Sequence, residues 1–216
     1  MPVDGDLGFQ PVGELGEAAR YYYLMQQLQS RYVMTPVESI RYHSDGKLYD
    51  ITAALKTDAR KSNQVLVTYE SGLTVAVNYN ATERWQVELG GNGYDLSPFA
   101  WAAVADAFKE SCTEQDGRRI GFVDSPAYLF ADGGGKLRDF GPIATDGAVV
   151  VLRDDPQRLR LIPLADATTV SLDIAPGARV QAYDANDQPL AVEAVAREGG
   201  RATLPLQGVD YWLIGA

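Results

Sequence analysis

His43 and Cys112 are the sole histidine and the sole cysteine among 216 residues. A Ser-His-Asp triad needs a histidine held by a carboxylate and facing a nucleophile. His43 stands between Tyr42 and Ser44, just before the turn-like Asp45-Gly46, and reads as a surface or turn histidine. Cys112 has no second thiol to pair with and no neighbouring ligand motif, so it reads as a small buried hydrophobe. No P-loop, GxGxxG after a strand, GxSxG or HExxH occurs. The Gly133-Gly134-Gly135 run is not followed by the Lys-Ser/Thr helix start of a phosphate cradle. No cofactor is expected. Asp184, Asn186 and Asp187 resemble part of a calcium loop but lack its glycine and distal glutamate, so a plain turn is expected and no metal site.

The 29 carboxylates could supply a glycosidase-like pair, but such a pair needs a cleft and a defined separation. A solvated acidic surface is the simpler reading. Aromatic rings are the more informative groups, because sugars stack their C–H faces on flat rings. Trp101 lies in the apolar run Phe99–Val104, and Trp212 lies in the last strand between Tyr211 and Leu213; both read as core. Trp85 follows Glu83-Arg84 in a half-polar strand, and with Tyr94 is the candidate for ligand contact, although core is the plainer reading for Trp85.

Two kinds of element must position these groups. Leu15, Ala18, Tyr22, Met25, Leu28 and Tyr32 recur at helical spacing, and Leu24 widens the stripe. Pro36 ends the pattern. This predicts one long helix over residues 15–33. Tyr21, Tyr22, Tyr23 and Met25 are then candidate interface residues, since tyrosine buries ring area while its hydroxyl finds a partner. From Glu38 the period becomes two. Val65, Val67 and Tyr69, the turn Ser71-Gly72, and Leu73, Val75 and Val77 predict a β-hairpin with its valines in a core. Further strands are expected at 47–55, 84–89, 99–105, 119–123 and 148–153, with a connector at 131–136. Asp154-Asp155-Pro156 punctuates the chain, and six short strands separated by turn residues follow.

The expected fold is mostly β: a tether over 1–14, a helix plus antiparallel β-sandwich over 15–153, and a small Ig-like β-sandwich over 154–216. The last is near the lower size limit for an independent core and should lean on the first. The net charge of −10 disfavours nucleic acid as a partner. No apolar run approaches the ~20 residues of a membrane span. The first residues lack the basic start and apolar stretch of a signal peptide, so localisation stays open, export as part of a longer precursor included.

The stretch Ala19–Tyr32 resembles the helix that ends the catalytic barrel in large bacterial glycoside hydrolases. Val67-Thr68-Tyr69-Glu70-Ser71-Gly72-Leu73-Thr74-Val75-Ala76-Val77-Asn78 is similar to the Y-x-N-G-L-x-V-x-V-N hairpin of their C-terminal β-domains. Trp85-Gln86-Val87 and Tyr94–Ala100 are similar to the segment that follows it, with Ser97 in place of a usual proline and Ala100 in place of a usual glycine. The resemblance covers roughly residues 15–153 and implies the non-catalytic region behind the barrel, so it carries over no catalytic residue. It implies an accessory region that packs on a catalytic domain of a longer chain, or self-associates through the N-terminal helix. A carbohydrate-binding module that takes an oligosaccharide on exposed rings, and an independent enzyme of unknown chemistry, are the alternatives.

Overall fold

The computed structural model describes residues 15–155, 157–194, 196–198 and 200–215; the tether expected over 1–14 lies outside them. Helix α1 (Leu15–Tyr32) is followed by the hairpin β1 (Val37–Ser44) and β2 (Lys47–Asp50). A short helix α2 (Ile51–Thr57) and a 3-10 turn (Ala59–Ser62) lead to β3 (Gln64–Tyr69), β4 (Thr74–Asn78), β5 (Trp85–Leu89) and β6 (Asn92–Leu96). A meander follows: β7 (Ala100–Ala105), β8 (Phe108–Gln115), β9 (Arg118–Asp124) and β10 (Tyr128–Asp132). Next come β11 (Arg138–Asp139), β12 (Ile143–Thr145), β13 (Ala148–Asp155), β14 (Arg158–Ala165), β15 (Thr169–Asp173) and β16 (Arg179–Tyr183). The chain closes with β17 (Pro189–Leu190), β18 (Ala196–Glu198), β19 (Arg201–Pro205) and β20 (Tyr211–Gly215).

The fold is mostly β and antiparallel, with the expected N-terminal helix. Among the described residues, one sheet of thirteen strands runs in the order β17-β16-β20-β14-β13-β10-β9-β8-β7-β4-β3-β1-β2. Helix α1 lies on one of its faces. The hairpin β5-β6 and a second sheet, β11-β12-β15-β19-β18, lie on the other. Strand β10 shows why. Tyr128 and Phe130 join the cluster under α1, while Leu129 and Ala131 join the cluster under the second sheet, and all are at most 3% exposed. Strand β13 repeats this, with Ala148 and Val150 on the helix side and Val149 and Val151 on the other.

The division expected after residue 153 falls near the turn of the β13-β14 hairpin, inside the long sheet. The C-terminal strands share their core with Leu129, Ala131, Ile143, Val149 and Val151 from upstream. Within that shared core Trp212, fully buried, donates to Pro205 O at 3.1 Å.

Three local readings are corrected. The run 47–55 is a strand only to Asp50. There the Asp50 carboxylate accepts from Ala53 N at 2.8 Å and caps α2. The β3-β4 loop is three residues, Glu70-Ser71-Gly72, closed by Tyr69 N donating to Leu73 O at 2.8 Å, and not the two-residue turn Ser71-Gly72. It pairs Val65 with Val77 and Val67 with Val75, where the shorter turn would have set Val67 against Ala76, and only Val75 of these four is buried. The deeper residues include Leu66 and Ala76, on the opposite face beneath β5-β6. In α1 the buried line is Leu24 and Leu28, one turn apart, flanked by Tyr23, Met25 and Tyr32; Tyr22 stays 56% exposed and Ala18 is exposed.

Candidate functional site

Two surfaces, on opposite faces of the long sheet, concentrate the residues suited to recognition. The first is the helix side. Leu24 settles onto β9 because Gly121 has no side chain: a Cβ there would stand 3.1 Å from Leu24 Cδ1 and 3.3 Å from Phe130 Cε1. Arg20 Nε lies 2.9 Å from Asp132 Oδ2, and the Tyr128 hydroxyl donates to Tyr23 O at 2.7 Å. The Tyr23 ring meets Tyr128 edge-on at 5.1 Å. Of the four interface candidates, Tyr23 and Met25 therefore pack into this chain's own core, Tyr21 is half-buried, and Tyr22 alone projects. Tyr23 and Met25 flank the Leu24 line on opposite sides, because successive helical residues are about 100° apart. Past the helix, Val33 is 56% and Met34 96% exposed. Val37 and Ile40 of β1, placed on the same side by their pairing with Tyr69 and Val67, are 47% and 42% exposed.

Beneath the last turns of α1 sits Glu110, fully buried. Its Oε1 accepts from Trp101 Nε1 at 2.9 Å, and its Oε2 is buried without a partner among the described residues. Desolvation pushes its carboxyl up to about 8, against the opposing pull of the Trp101 bond and the nearby Arg31 charge. The Arg31 guanidinium rests 4.1 Å over the Phe108 ring. Cys112 is 1% exposed, and burial pushes its thiol up to about 12, which makes it inert as a nucleophile.

The second surface is a cleft of ≈ 230 Å³ on the opposite face. The β6 segment Gly93–Leu96 forms one wall, and Arg138, Asp139 and Phe140 form the other. Ser111, Thr113, Gln115 and Ile120 of β8 and β9 line its floor. The hairpin wall is pinned to the sheet by Asn78, fully buried, whose amide donates to Glu83 O, Leu96 O and Ser97 O at 2.8–2.9 Å. Thr113 Oγ1 donates to Asp95 O at 3.0 Å and accepts from Ser97 N at 3.1 Å.

Of the two ligand candidates, Tyr94 is half-buried in this wall, whereas Trp85 is only 2% exposed. Trp85 is a core residue and not a surface ring: in β5 it points inward with Leu89, and its indole stacks on His43 at 5.2 Å. His43 in turn lies in a strand, half-buried, with Nδ1 2.6 Å from Gln64 Oε1, which corrects the turn reading. Asp184 accepts from Asn186 N and Gln188 N at 2.9 and 2.8 Å and so shapes its own turn. Among the described residues no cluster of three or more His, Cys, Asp or Glu could hold a metal.

No family model, curated protein or solved structure matches this chain. Its chemistry is therefore read from the two surfaces. Phe140, Ser111 and Gln115 went unnoticed in the sequence because they share no motif and no period with Tyr94. The Gly141-Pro142 step after Phe140 marks a turn, and that is the one local signal near them.

Proposed function

We propose that this chain is a non-catalytic accessory β-region of a carbohydrate-active enzyme, of the glycoside hydrolase kind, whose helix side packs against a catalytic domain. One observation carries the reading. Tyr22, Val33, Met34, Val37 and Ile40 leave large apolar surface uncovered along the helix and the adjoining sheet edge, on one side of the molecule. Soluble proteins seldom leave such surface without a partner. The resemblance of Ala19–Tyr32 and of the β3-β4 hairpin to the region behind a catalytic barrel supports a catalytic domain as that partner. The long sheet supports the role mechanically: α1 is fixed by Leu24, Leu28 and the Arg20–Asp132 pair, so its outer flank is a rigid platform.

Light scattering and binding of a hydrophobic dye test the reading on the purified chain. The wild type should self-associate or bind dye, and Tyr22→Glu with Met34→Glu should lower both without lowering the melting temperature. A strict monomer that binds no dye would remove the support. The chain alone should not hydrolyse aryl glycosides. Turnover that survives purification and disappears with one carboxylate pair would overturn the non-catalytic assignment.

A further inference from the structure

The cleft between β6 and β11 has a chemical character that selects a class of ligand. Its ionic groups are paired within the protein. Asp95 holds Arg84 Nε at 2.9 and 3.1 Å, and Asp139 holds Arg201 at 3.0 and 3.1 Å. Arg138 donates to Gln115 Oε1 at 2.6 Å, to Gly133 O at 3.0 Å and to Asp116 at 3.2 Å. Among the described residues, the groups left without a protein partner are neutral: the hydroxyls of Tyr94 and Ser111 and the Nε2 amide of Gln115. Two rings, Tyr94 and Phe140, border the same space, and Phe140 is backed by a parallel stack on Phe122 at 5.4 Å. A charged ligand would find no unpaired counter-charge and would have to break an existing ion pair, whereas a neutral polyhydroxylated one would meet hydroxyl and amide partners beside apolar ring faces.

We infer that this cleft binds a neutral saccharide, with Tyr94 and Phe140 against the sugar's C–H faces and Ser111 and Gln115 bonding its hydroxyls. A space of ≈ 230 Å³ is smaller than the ~300–1,000 Å³ of a drug-sized pocket and suits one sugar ring. A shallower groove of ≈ 460 Å³ over Gln86–Glu88 shares Gly93, Tyr94 and Asp95 with it. Tyr94 therefore stands where two adjacent rings of an oligosaccharide would meet. The cleft lies on the face opposite α1, so the inference is independent of what the helix side contacts.

The test is an NMR titration of the full chain with cellohexaose, maltohexaose, xylohexaose and mannohexaose, with an oligogalacturonate as the charged comparison. At least one neutral hexasaccharide should shift the amides of 93–95, 111–115 and 138–140 at millimolar concentration, and the oligogalacturonate should not. Tyr94→Ala should weaken binding about tenfold or more, the scale of one lost ring contact. Tyr94→Phe and Ser111→Ala keep the packing and should each weaken it by a smaller factor, which decides the matter if Tyr94→Ala unfolds. Tyr22→Glu should leave binding unchanged. The inference falls if none of the four neutral sugars shifts these amides, if only the charged one does, or if the Tyr94 and Ser111 variants bind as the parent does.

Discussion

Trp101 of β7 reaches diagonally across the ladder to Glu110 of β8, its indole Nε1 donating to the carboxyl Oε1 at 2.9 Å, while the second carboxyl oxygen is sealed away from water. Facing this carboxyl are the Arg31 charge from α1, the Tyr128 hydroxyl from β10 and the Cys112 thiol from its own strand.

A measurable pH dependence follows from this arrangement. The folded-state value of Glu110, about 8, lies above the ordinary glutamate range. Below that range both folded and unfolded states hold the proton. Between it and about 8 the folded state keeps a proton that the unfolded state gives up, so stability falls as pH rises. The melting temperature should decline from about pH 5 to about pH 9, by the equivalent of a few kcal/mol. Glu110→Gln keeps the acceptor for Trp101 and should flatten that slope. An unchanged slope in the variant would refute the account.

Asn78 is the clamp between the long sheet and the β5-β6 hairpin. Its amide feeds three backbone carbonyls, which a carboxylate cannot do. Asn78→Asp should cost about 3–5 kcal/mol, because it sets a buried negative charge against carbonyl oxygens. Chemical denaturation should show the loss, and hydrogen exchange should show amides of 85–96 opening first.

On α1 the truncations Leu24→Ala and Leu28→Ala should each cost about 2–5 kcal/mol, whereas Tyr22→Ala should cost less than about 1 kcal/mol. Equal losses at Tyr22 and Leu24 would mean that the helix is rotated from the orientation described.

Gly121 is where the helix touches the sheet. Gly121→Val should push Leu24 outward and destabilise by about 1–3 kcal/mol, the usual cost of overpacking. Gly93→Ala, where a Cβ meets nothing within 4 Å, is the control and should be close to neutral in a thermal melt.

Much of the scaffold is legible in the sequence. The alternation Val65, Val67 and Val75, Val77 around Ser71-Gly72 specifies a hairpin, because side chains of a strand point alternately to two faces, but its register is set by a loop one residue longer, Glu70–Gly72, which places Val67 opposite Val75. The four-residue steps of Leu24, Leu28 and Tyr32 specify a helix. Less visible are strands such as Phe108–Gln115, whose Lys109, Glu110 and Glu114 mask the pattern. There Glu110 is buried as fully as an apolar residue, because Trp101 takes one of its oxygens.

The sequence by itself determined that this chain is a turn-rich antiparallel β protein headed by one amphipathic helix, since periodicity is a local property written residue by residue. Only the tertiary structure decided which residues are inside. Leu129 and Phe130 are neighbours with equal apolarity, buried by different layers on opposite faces of one sheet. Trp85, for which the sequence left both core and ligand contact open, is buried among Leu66, Ala76 and Leu96, with His43, far from it in sequence, stacked on its ring. The cleft of Tyr94, Ser111 and Phe140 joins three strands or loops that no local pattern links. Layer contacts depend on how sheets stack and on which side a connection crosses, and those choices are made by long-range packing energies that no short window of sequence contains.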